Sequence, residues 1–301
     1  MPTGTQSNLC GILAHCGRGD EYIVGQLAHT YRYEGGGAAV FGSVQPQPLA
    51  QDAGGQMALA DIAAAIKPDD PHFAQTRLLC LENTWNGHVM PDDYLREATA
   101  LARKHGLATH LDGARVFNAA VASAAPGQGA YARVREIADH FDSLSVCFSK
   151  GLGAPVGSAL CGSQALIQSA RRIRKMAGGG MRQAGLLAAC ALHALDHHVD
   201  RLADDHANAR RLAEGLSGIE GLTVKSAETN IVFVDVADGR GPALLDVLKA
   251  NGVLATGLIG LRFVTHLDVD AAGIDHAIAT VRRFFVEAPV APAGAGRTGP
   301  Y

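Results

Sequence analysis

Charged residues are scarce in this 301-residue sequence, and neither sign dominates. They make up 18% of the chain, with 26 lysines and arginines against 29 acidic residues and a net charge of −3. Soluble domains usually carry about one quarter charged residues. A chain without a basic excess lacks the charge that holds a polyphosphate backbone, so we expect no nucleic-acid partner.

Long hydrophobic runs are also missing. The apolar stretch Ala184–Leu192 ends at His193, well short of the about 18 residues that a membrane-spanning helix needs. The first residues, Met-Pro-Thr-Gly-Thr-Gln, have neither the basic region nor the apolar core of a signal peptide. These two absences predict a protein with no membrane partner.

Cysteine pairs and metal-ligand spacings are absent too. The six cysteines, at positions 10, 16, 80, 147, 161 and 190, form no C-x-x-C pair, which favours buried free thiols and a cytoplasmic location. The thirteen histidines show no H-E-x-x-H or comparable spacing. His197, His198 and His206, beside Asp204 and Asp205, are therefore expected at the surface, and we predict no metal.

What the sequence does contain is an alternation of short apolar runs and helical patterns. Strands are predicted at 21–25, 78–81, 107–111 and 143–149, and helices at 5–16, 59–66, 91–105 and 131–140. This alternation is typical of an α/β fold with a mostly parallel sheet and helices on both faces.

The pattern changes in the last third of the chain. A long helical stretch at 181–214, with a break near 197–205, precedes predicted strands at 222–225, 230–236, 253–258 and 261–266 and helices at 241–250 and 270–286. We therefore expect a large domain at 1–203 and a smaller α+β domain at 204–287. The Pro/Gly/Ala-rich residues 288–301 are predicted to be a disordered tail.

Polar residues follow the predicted strands of the large domain. His29 comes shortly after the first, Glu82 ends the second, Asp112 and Arg115 follow the third, and Lys150 ends the fourth. Ligands of open parallel sheets bind outside the carboxyl ends of the strands. One imidazole, one carboxylate, one guanidinium and one amine are thus expected at one edge.

Lys150 and Asp112 indicate a particular chemistry. An amine on an apolar strand end, followed by glycines, suits a Schiff-base lysine whose pKa is lowered by partial desolvation. A carboxylate held opposite a pyridine nitrogen is what a pyridoxal ring needs to accept electrons. Taken alone, Lys150 also fits a lysine whose amine reaches solvent, and Asp112 with Arg115 also fits a salt-bridged turn.

Three further features concern anions and protons. Thr3-Gly4-Thr5 opens a predicted helix whose N–H groups suit a phosphate, as any capped helix start does. Arg182 follows three glycines that permit close ligand approach. His29 precedes a flexible glycine run and suits stacking on a cofactor ring and proton exchange near neutral pH.

Two other patterns do not predict a ligand site. Gly151-Leu-Gly-Ala-Pro-Val-Gly157 superficially matches a dinucleotide fingerprint, but Pro155 blocks helix entry and a basic run replaces the acidic ribose clamp about 20 residues on. That basic run, Arg171–Lys175, fits a solvated or intersubunit helix face.

Many linked motifs, in order from residue 2 to about residue 286, resemble those of the low-specificity L-threonine aldolases. They are Tyr22-Ile-Val-Gly-Gln-Leu-Ala-His29, Glu34-Gly-Gly-Gly-Ala-Ala-Val40, Lys67-Pro-Asp-Asp-Pro-His-Phe73, Leu81-Glu-Asn-Thr84, Leu111-Asp-Gly-Ala-Arg-Val-Phe-Asn118, Ser149-Lys-Gly-Leu-Gly-Ala-Pro-Val-Gly157, Lys175-Met-Ala-Gly-Gly-Gly-Met-Arg-Gln183 and Val264-Thr-His-Leu-Asp268. The resemblance implies a pyridoxal-phosphate enzyme of fold type I, the aspartate-aminotransferase fold. It also implies retro-aldol cleavage of L-threonine or L-allo-threonine to glycine and acetaldehyde.

The same resemblance implies a role for each matching residue. Lys150 would bind the cofactor covalently, Asp112 would face its pyridine nitrogen, and His29 would stack on its ring. Gly4 and Thr5 would bind the cofactor phosphate, with Arg182 as a further contact. Arg115 and Arg262 would bind the substrate carboxylate. His72 would lie near the substrate hydroxyl, and Lys175 would lie near the active site. The base is left open between His29, His72 and an ordered water.

Two departures from the family qualify these expectations. Trp85 stands where many relatives have histidine, which favours an altered pocket wall and, as an alternative function, cleavage of bulkier β-hydroxy amino acids such as phenylserine. Relatives also carry several dozen residues before the Pro-Thr-Gly-Thr turn, so we expect an N-terminally truncated large domain, and an inactive cofactor-binding homologue is a further alternative. The family implies a homo-oligomer, a dimer of dimers with shared active sites.

Overall fold

The computed structural model describes residues 1–287, so the predicted disordered tail at 288–301 lies outside the described residues. The chain forms two compact units, Met1–Leu202 and a second unit that begins at Ala203. Each has its own apolar core, and each is described by itself. Within residues 1–287, no helix combines the length and the apolar character needed to cross a membrane.

The first unit is built on a six-stranded sheet in the order β2-β1-β3-β4-β5-β6. All neighbours are parallel except β5 and β6, which are antiparallel. This confirms the predicted mostly parallel α/β sheet. The strands are β1 (Asp20–Gly25), β2 (Gln45–Leu49), β3 (Gln75–Glu82), β4 (Ala108–Gly113), β5 (Ser143–Cys147) and β6 (Ser158–Gly162).

Nine helices belong to this unit within the described residues. They are α1 (Gly4–His15), α2 (His29–Arg32), α3 (Gly37–Gly42), α4 (Leu59–Ala65), α5 (Asp92–Lys104), α6 (Val116–Ser123), α7 (Ala130–Ala138), α8 (Gln164–Met176) and α9 (Gly185–His197).

Helix α5 shows why the sequence folds as it does. Acidic residues occupy its first turn and basic residues its last, which complements the helix dipole. Leu95, Ala98 and Ala102 recur at helical spacing and are fully buried in the core of the unit. Gly106, with φ +74°, follows the helix at a turn where a residue with a side chain would be strained.

The second unit is a small α+β structure. Its strands β7 (Leu222–Ser226), β8 (Ile231–Val236) and β9 (Leu261–Val264) form an antiparallel sheet in that order. Within residues 202–287, a short 3-10 helix at Ala237–Gly239 and three α-helices accompany them: α10 (Leu202–Leu216), which begins at the boundary, α11 (Gly241–Ala250) and α12 (Ala271–Glu287). Buried apolar residues of these helices and strands form its core.

The strand predicted at 253–258 is wrong. Only isolated bridges form there: Thr256 pairs with Arg262 through two backbone hydrogen bonds of 3.0 and 2.8 Å, and Leu258 pairs with Gly260. Gly260 has a φ of +110° and Leu258 is exposed, so the stretch does not continue as an extended strand with a buried face. The strand predicted at 143–149 also ends earlier, at Cys147, which leaves Lys150 in the following turn.

Two expectations about burial need correction. His206 is buried, whereas we expected it at the surface, because it lies on the core side of α10 beside buried Asp205 and Ala209. Cys161 is exposed because it lies on the edge strand β6, and Cys190 is only half-buried. The other four cysteines are buried, and all six are free thiols.

Candidate active site

The carboxyl ends of β1, β3, β4 and β5 share one edge of the sheet, and a pocket opens there. Its volume is about 360 Å³, within the range of small-molecule sites. It is lined by Pro2, Thr3, Gly4, Thr5, Asn8, His29, Glu82, Thr84, Asp112, Ala114, Arg115, Cys147, Ser149, Lys150, Pro155 and Val156. The strand-end residues that the sequence singles out are thus brought together, along with the start of α1.

Asp112 is the buried carboxylate at the centre of this edge. It lies in β4 and pairs in register with Glu82 of β3. Its Oδ1 accepts a hydrogen bond from the backbone N–H of Ala114 at 3.0 Å, and its Oδ2 accepts one from Asn8 Nδ2 at 2.8 Å. Two fixed donors therefore orient the carboxylate.

Lys150 lies in the turn that follows β5. The turn is closed by a 2.9 Å hydrogen bond from Gly153 N–H to the Lys150 carbonyl. Gly151 passes close to α6, since a Cβ there would lie 2.6 Å from Asn118 Oδ1. A glycine is needed for this approach, which fixes the backbone that presents the Lys150 amine to the pocket.

Helix α1 begins at the pocket. Thr3 is its N-cap, and its hydroxyl accepts the backbone N–H of Gln6 at 3.1 Å. Gly4 and Thr5 occupy the first turn, whose N–H groups have no acceptor within a helix and attract anions. The start of α1 is thus suited to a phosphate or carboxylate.

His29 is tied at two points. Its backbone N–H donates to Glu82 Oε2 at 2.8 Å, and its Nδ1 lies 2.8 Å from Glu34 Oε1. The hydrogen bond with Glu34 raises the pKa of the His29 imidazole, and the nearby Asp112 carboxylate adds to this. With Nδ1 engaged, Nε2 is the ring nitrogen left to act on a ligand.

Glu34 and Glu82 are also functional candidates. The sequence places Glu82 at a strand end without giving it a role, and it does not single out Glu34. Burial raises the pKa of both carboxyl groups, and the Asp112 carboxylate raises them further. One side-chain atom each of His29, Glu34 and Asp112 lies within 4.8 Å of the others. Shifted titrating groups gathered in a pocket are typical of catalytic sites.

Asn8 was also missed. The only sequence signal is that the polar residues Ser7 and Asn8 directly precede apolar residues of α1, and the structure buries all of Ser7 to Ile12. A polar side chain in a buried helix needs a partner. Nothing local identifies the partners of Asn8, because Glu34 and Asp112 are 26 and 104 residues away in the chain.

The other predicted site residues of the first unit do not line the pocket. His72 has a side chain 85% exposed and pairs with Asp70 at 2.7 Å, while Lys175 and Arg182 are exposed. Arg262 lies in β9 of the second unit. Trp85 is buried against Gly55, where a Cβ would lie 2.4 Å from its indole, and stacks on His88 at 6.0 Å, so it is core rather than pocket wall.

The first 239 residues match the beta-eliminating lyase family. The low specificity L-threonine aldolase of Escherichia coli (strain K12) is 49% identical over 284 residues, which cover 94% of this chain and 83% of that protein. The probable low-specificity L-threonine aldolase 2 of Arabidopsis thaliana is 41% identical over 298 residues, covering 95% and 82%. This chain belongs to the low-specificity L-threonine aldolase family.

Solved structures agree on the fold. The threonine aldolase of Leishmania major superposes with a TM-score of 0.78 at 23% identity and covers 94% of this chain and 83% of that one. The serine palmitoyltransferase of Sphingomonas wittichii gives 0.74 at 21% identity, covering 96% and 73%. The chain therefore has the expected fold type I of pyridoxal-phosphate enzymes. As a member of the aldolase family, it is a pyridoxal-phosphate-dependent lyase.

The pocket fits pyridoxal 5'-phosphate, the cofactor of this aldolase family. It offers an amine, a carboxylate and a helix start, which match the aldehyde, the pyridine nitrogen and the phosphate of that molecule. Thr84 Oγ1 is also buried beside the pocket and has no hydrogen-bond partner among residues 1–287. A buried hydroxyl of this kind is expected to bond to a ligand.

Proposed function

We propose that this chain cleaves L-threonine and L-allo-threonine to glycine and acetaldehyde. The observation that carries the proposal is one pocket that holds Lys150, Asp112, Arg115 and His29 beside the start of α1. These groups supply what cleavage of the bond between Cα and Cβ requires. They are an amine that can bind the cofactor covalently, a guanidinium for the substrate carboxylate, a proton acceptor and a carboxylate partner for the cofactor ring.

Pyridoxal phosphate, when bound, takes up the electron pair that the broken Cα–Cβ bond releases. Lys150 would bind it covalently, Asp112 would bond to its pyridine nitrogen, and Gly4 and Thr5 would hold its phosphate. By resemblance to the family, Arg182 is proposed as a further phosphate contact and Lys175 as a residue near the site. Arg115 and Arg262 would bind the substrate carboxylate, since guanidinium groups bind carboxylates through two parallel hydrogen bonds.

We assign to His29 the role of the base that accepts the proton of the β-hydroxyl group. Its Nδ1 faces Glu34 and its side chain lines the pocket, so Nε2 is available to accept the hydroxyl proton. The proton leaves as the carbonyl of acetaldehyde forms, and Cα gains a proton to give glycine. His72, the other histidine that the family suggests, is solvent-exposed.

The experiment is a product assay on the purified chain with added cofactor. We expect glycine and acetaldehyde in equal amounts from L-threonine, and no product from Lys150→Ala. Faster turnover of phenylserine in the wild type, reversed in Trp85→His, would favour the bulkier substrates instead. Bound cofactor without glycine release from either substrate would contradict both and identify an inactive homologue.

The chain is also proposed to form a homo-oligomer, a dimer of dimers with shared sites. Met176, Met181, Leu186 and Leu192 are large, apolar and exposed at the end of α8, along α9 and in the turn between them. Clusters of this kind are typical of protein interfaces. We infer a cytoplasmic location, which the six free thiols support because a reducing compartment preserves them.

A further inference from the structure

A series of buried and partly buried hydrogen bonds leads from the pocket into the first unit, and it begins at Asn8 of α1. Its Nδ2 lies 2.8 Å from Asp112 Oδ2 and 2.9 Å from Glu34 Oε1, so each of its two amide protons has a carboxylate acceptor. Its Oδ1 lies 3.2 Å from Nε2 of His110.

The two carboxylates fix the orientation of the Asn8 amide. If the amide were turned over, its oxygen would face two acceptors and its protons would face His110. With Oδ1 toward the ring, His110 Nε2 must carry the proton. His110 Nδ1 is then the acceptor for the Ser143 hydroxyl at 2.8 Å, and Ser143 Oγ accepts from His15 Nε2 at 2.7 Å.

In this series of hydrogen bonds, each group donates to the next one toward Asp112. His15 donates to Ser143, Ser143 to His110, His110 to Asn8, and Asn8 to Asp112. Burial lowers the pKa of His110 to about 3. Its ring therefore stays neutral, and a neutral ring with Nε2 protonated has only one nitrogen left to accept from Ser143.

The path of α1 is adapted to this ring. Gly11, one turn after Asn8, would place a Cβ 2.7 Å from His110 Cε1, closer than carbon atoms pack. Glycine inside a helix costs about 1 kcal/mol relative to alanine, so its presence needs a reason. Here the reason is room for a fully buried imidazole beneath the helix.

We propose that Asn8 is a positioning residue of the active site and that His110 holds it in place. Asn8 orients the Asp112 carboxylate and, through its second hydrogen bond to Glu34, couples Asp112 to His29. The inference rests on the proposed role of Asp112 as partner of the cofactor ring. The neutral Asn8 amide thereby links Asp112, the partner of the cofactor ring, to His29, the proposed proton acceptor. Because the amide donates a hydrogen bond to both Asp112 and Glu34, it also offsets the repulsion between these carboxylates without adding a charge.

The first test needs neither cofactor nor activity. Histidine-labelled protein without cofactor is measured by ¹⁵N NMR, and His110 is assigned from His110→Gln. We expect a neutral ring protonated at Nε2 from pH 5 to pH 8. A ring protonated at Nδ1, or one that titrates near pH 6.5, would overturn the proposal.

The second test uses variants in cofactor titrations of the apoprotein, followed by absorbance. Asn8→Leu keeps the size and removes the amide, and we expect cofactor binding about 10- to 100-fold weaker, the effect of losing a hydrogen bond to a charged group. His110→Leu should show a smaller loss, which His110→Gln should restore because its amide can donate in place of Nε2–H.

Ser7→Ala is the matched control. Ser7 is equally buried on the same helix, and its hydroxyl has no hydrogen-bond partner in the described part of the chain. Binding within twofold of wild type is expected. Wild-type affinity in Asn8→Leu would overturn the inference and leave the proposed function intact, whereas a wild type that binds no cofactor would contradict the proposed function itself. If Asn8→Leu does not fold, the NMR result decides.

Discussion

At the scale of single residues, the site depends on how a few charged groups are held. Asp112 lies beside Glu82 and close to Glu34, an arrangement in which the three carboxylates repel one another. Hydrogen bonds from Ala114 and Asn8 offset this at Asp112, while the pKa of the two glutamates rises. Hydrogen bonds thus hold the Asp112 carboxylate in place beside two carboxyl groups of raised pKa.

Asp112→Asn should show what the Asp112 carboxylate contributes. We expect cofactor binding or turnover to fall by about 10- to 100-fold, because a neutral amide cannot stabilise a protonated pyridine nitrogen. The measurement is a cofactor titration combined with the threonine assay. Asp142→Asn is the control, since Asp142 bonds to Thr109 near the start of β4 and does not line the pocket. Equal effects in both variants would contradict the role of Asp112.

Glu34→Gln should change the pH dependence of the reaction. The Glu34 carboxylate raises the pKa of His29, so its loss should lower that pKa. If unprotonated His29 accepts the hydroxyl proton, the rise of activity with pH should shift to lower pH in the variant. The exposed Glu97→Gln is the control. A profile that does not move would show that His29 is not the titrating base.

At the scale of elements, strand ends and helix starts determine which side chains meet. The sequence brings the strand-end residues to one edge because they closely follow apolar runs and parallel strands share their carboxyl edge. It does not predict β2, because Pro46 and Pro48 argue against a strand, and prolines are tolerated on a sheet edge. It does not predict β6 either, a short edge strand of small and half-buried residues.

The contacts of Asn8 and Glu34 are beyond what the sequence can predict. They depend on how α1 lies over the sheet, which packing of the whole first unit determines. Roles carried over from the family, such as those of His72 and Arg182, stay predictions here.

Gly11→Ala tests the packing of α1 on β4. Alanine normally stabilises a helix by about 1 kcal/mol over glycine, but here its methyl group meets His110 at 2.7 Å. We expect a net loss of about 1–3 kcal/mol in the free energy of unfolding, measured in urea. Gly185→Ala, at the start of α9 with nothing within 4 Å, should be neutral or stabilising. A stabilising Gly11→Ala would contradict the close approach.

At the scale of the whole molecule, buried histidines link stability to pH. Burial lowers the pKa of His206 to about 4, so the unfolded chain binds more protons than the folded one between pH 4 and about 6.5. The free energy of unfolding should therefore fall as the pH drops, by about 1–2 kcal/mol between pH 6.5 and 5 for this group. Urea unfolding should show a weaker dependence in His206→Gln than in the exposed His276→Gln. Identical slopes would contradict it.

Self-association should depend on the apolar surface of α8 and α9. Leu186→Glu combined with Leu192→Glu should lower the mass measured by light scattering, because two charges would have to be buried in the interface. Leu258→Glu, in an equally exposed loop of the second unit, should not change it. A monomeric wild type would contradict the proposed oligomer.

The most direct test of the proposed site is to find which lysine binds the cofactor. The chain has six lysines, and Lys150 is the one expected to bind the cofactor. The protein with bound cofactor is reduced with borohydride, digested and mapped by mass spectrometry. We predict a pyridoxyl group on Lys150 and none in Lys150→Ala. A pyridoxyl group on any of the other five lysines, or no adduct at all, would contradict this prediction.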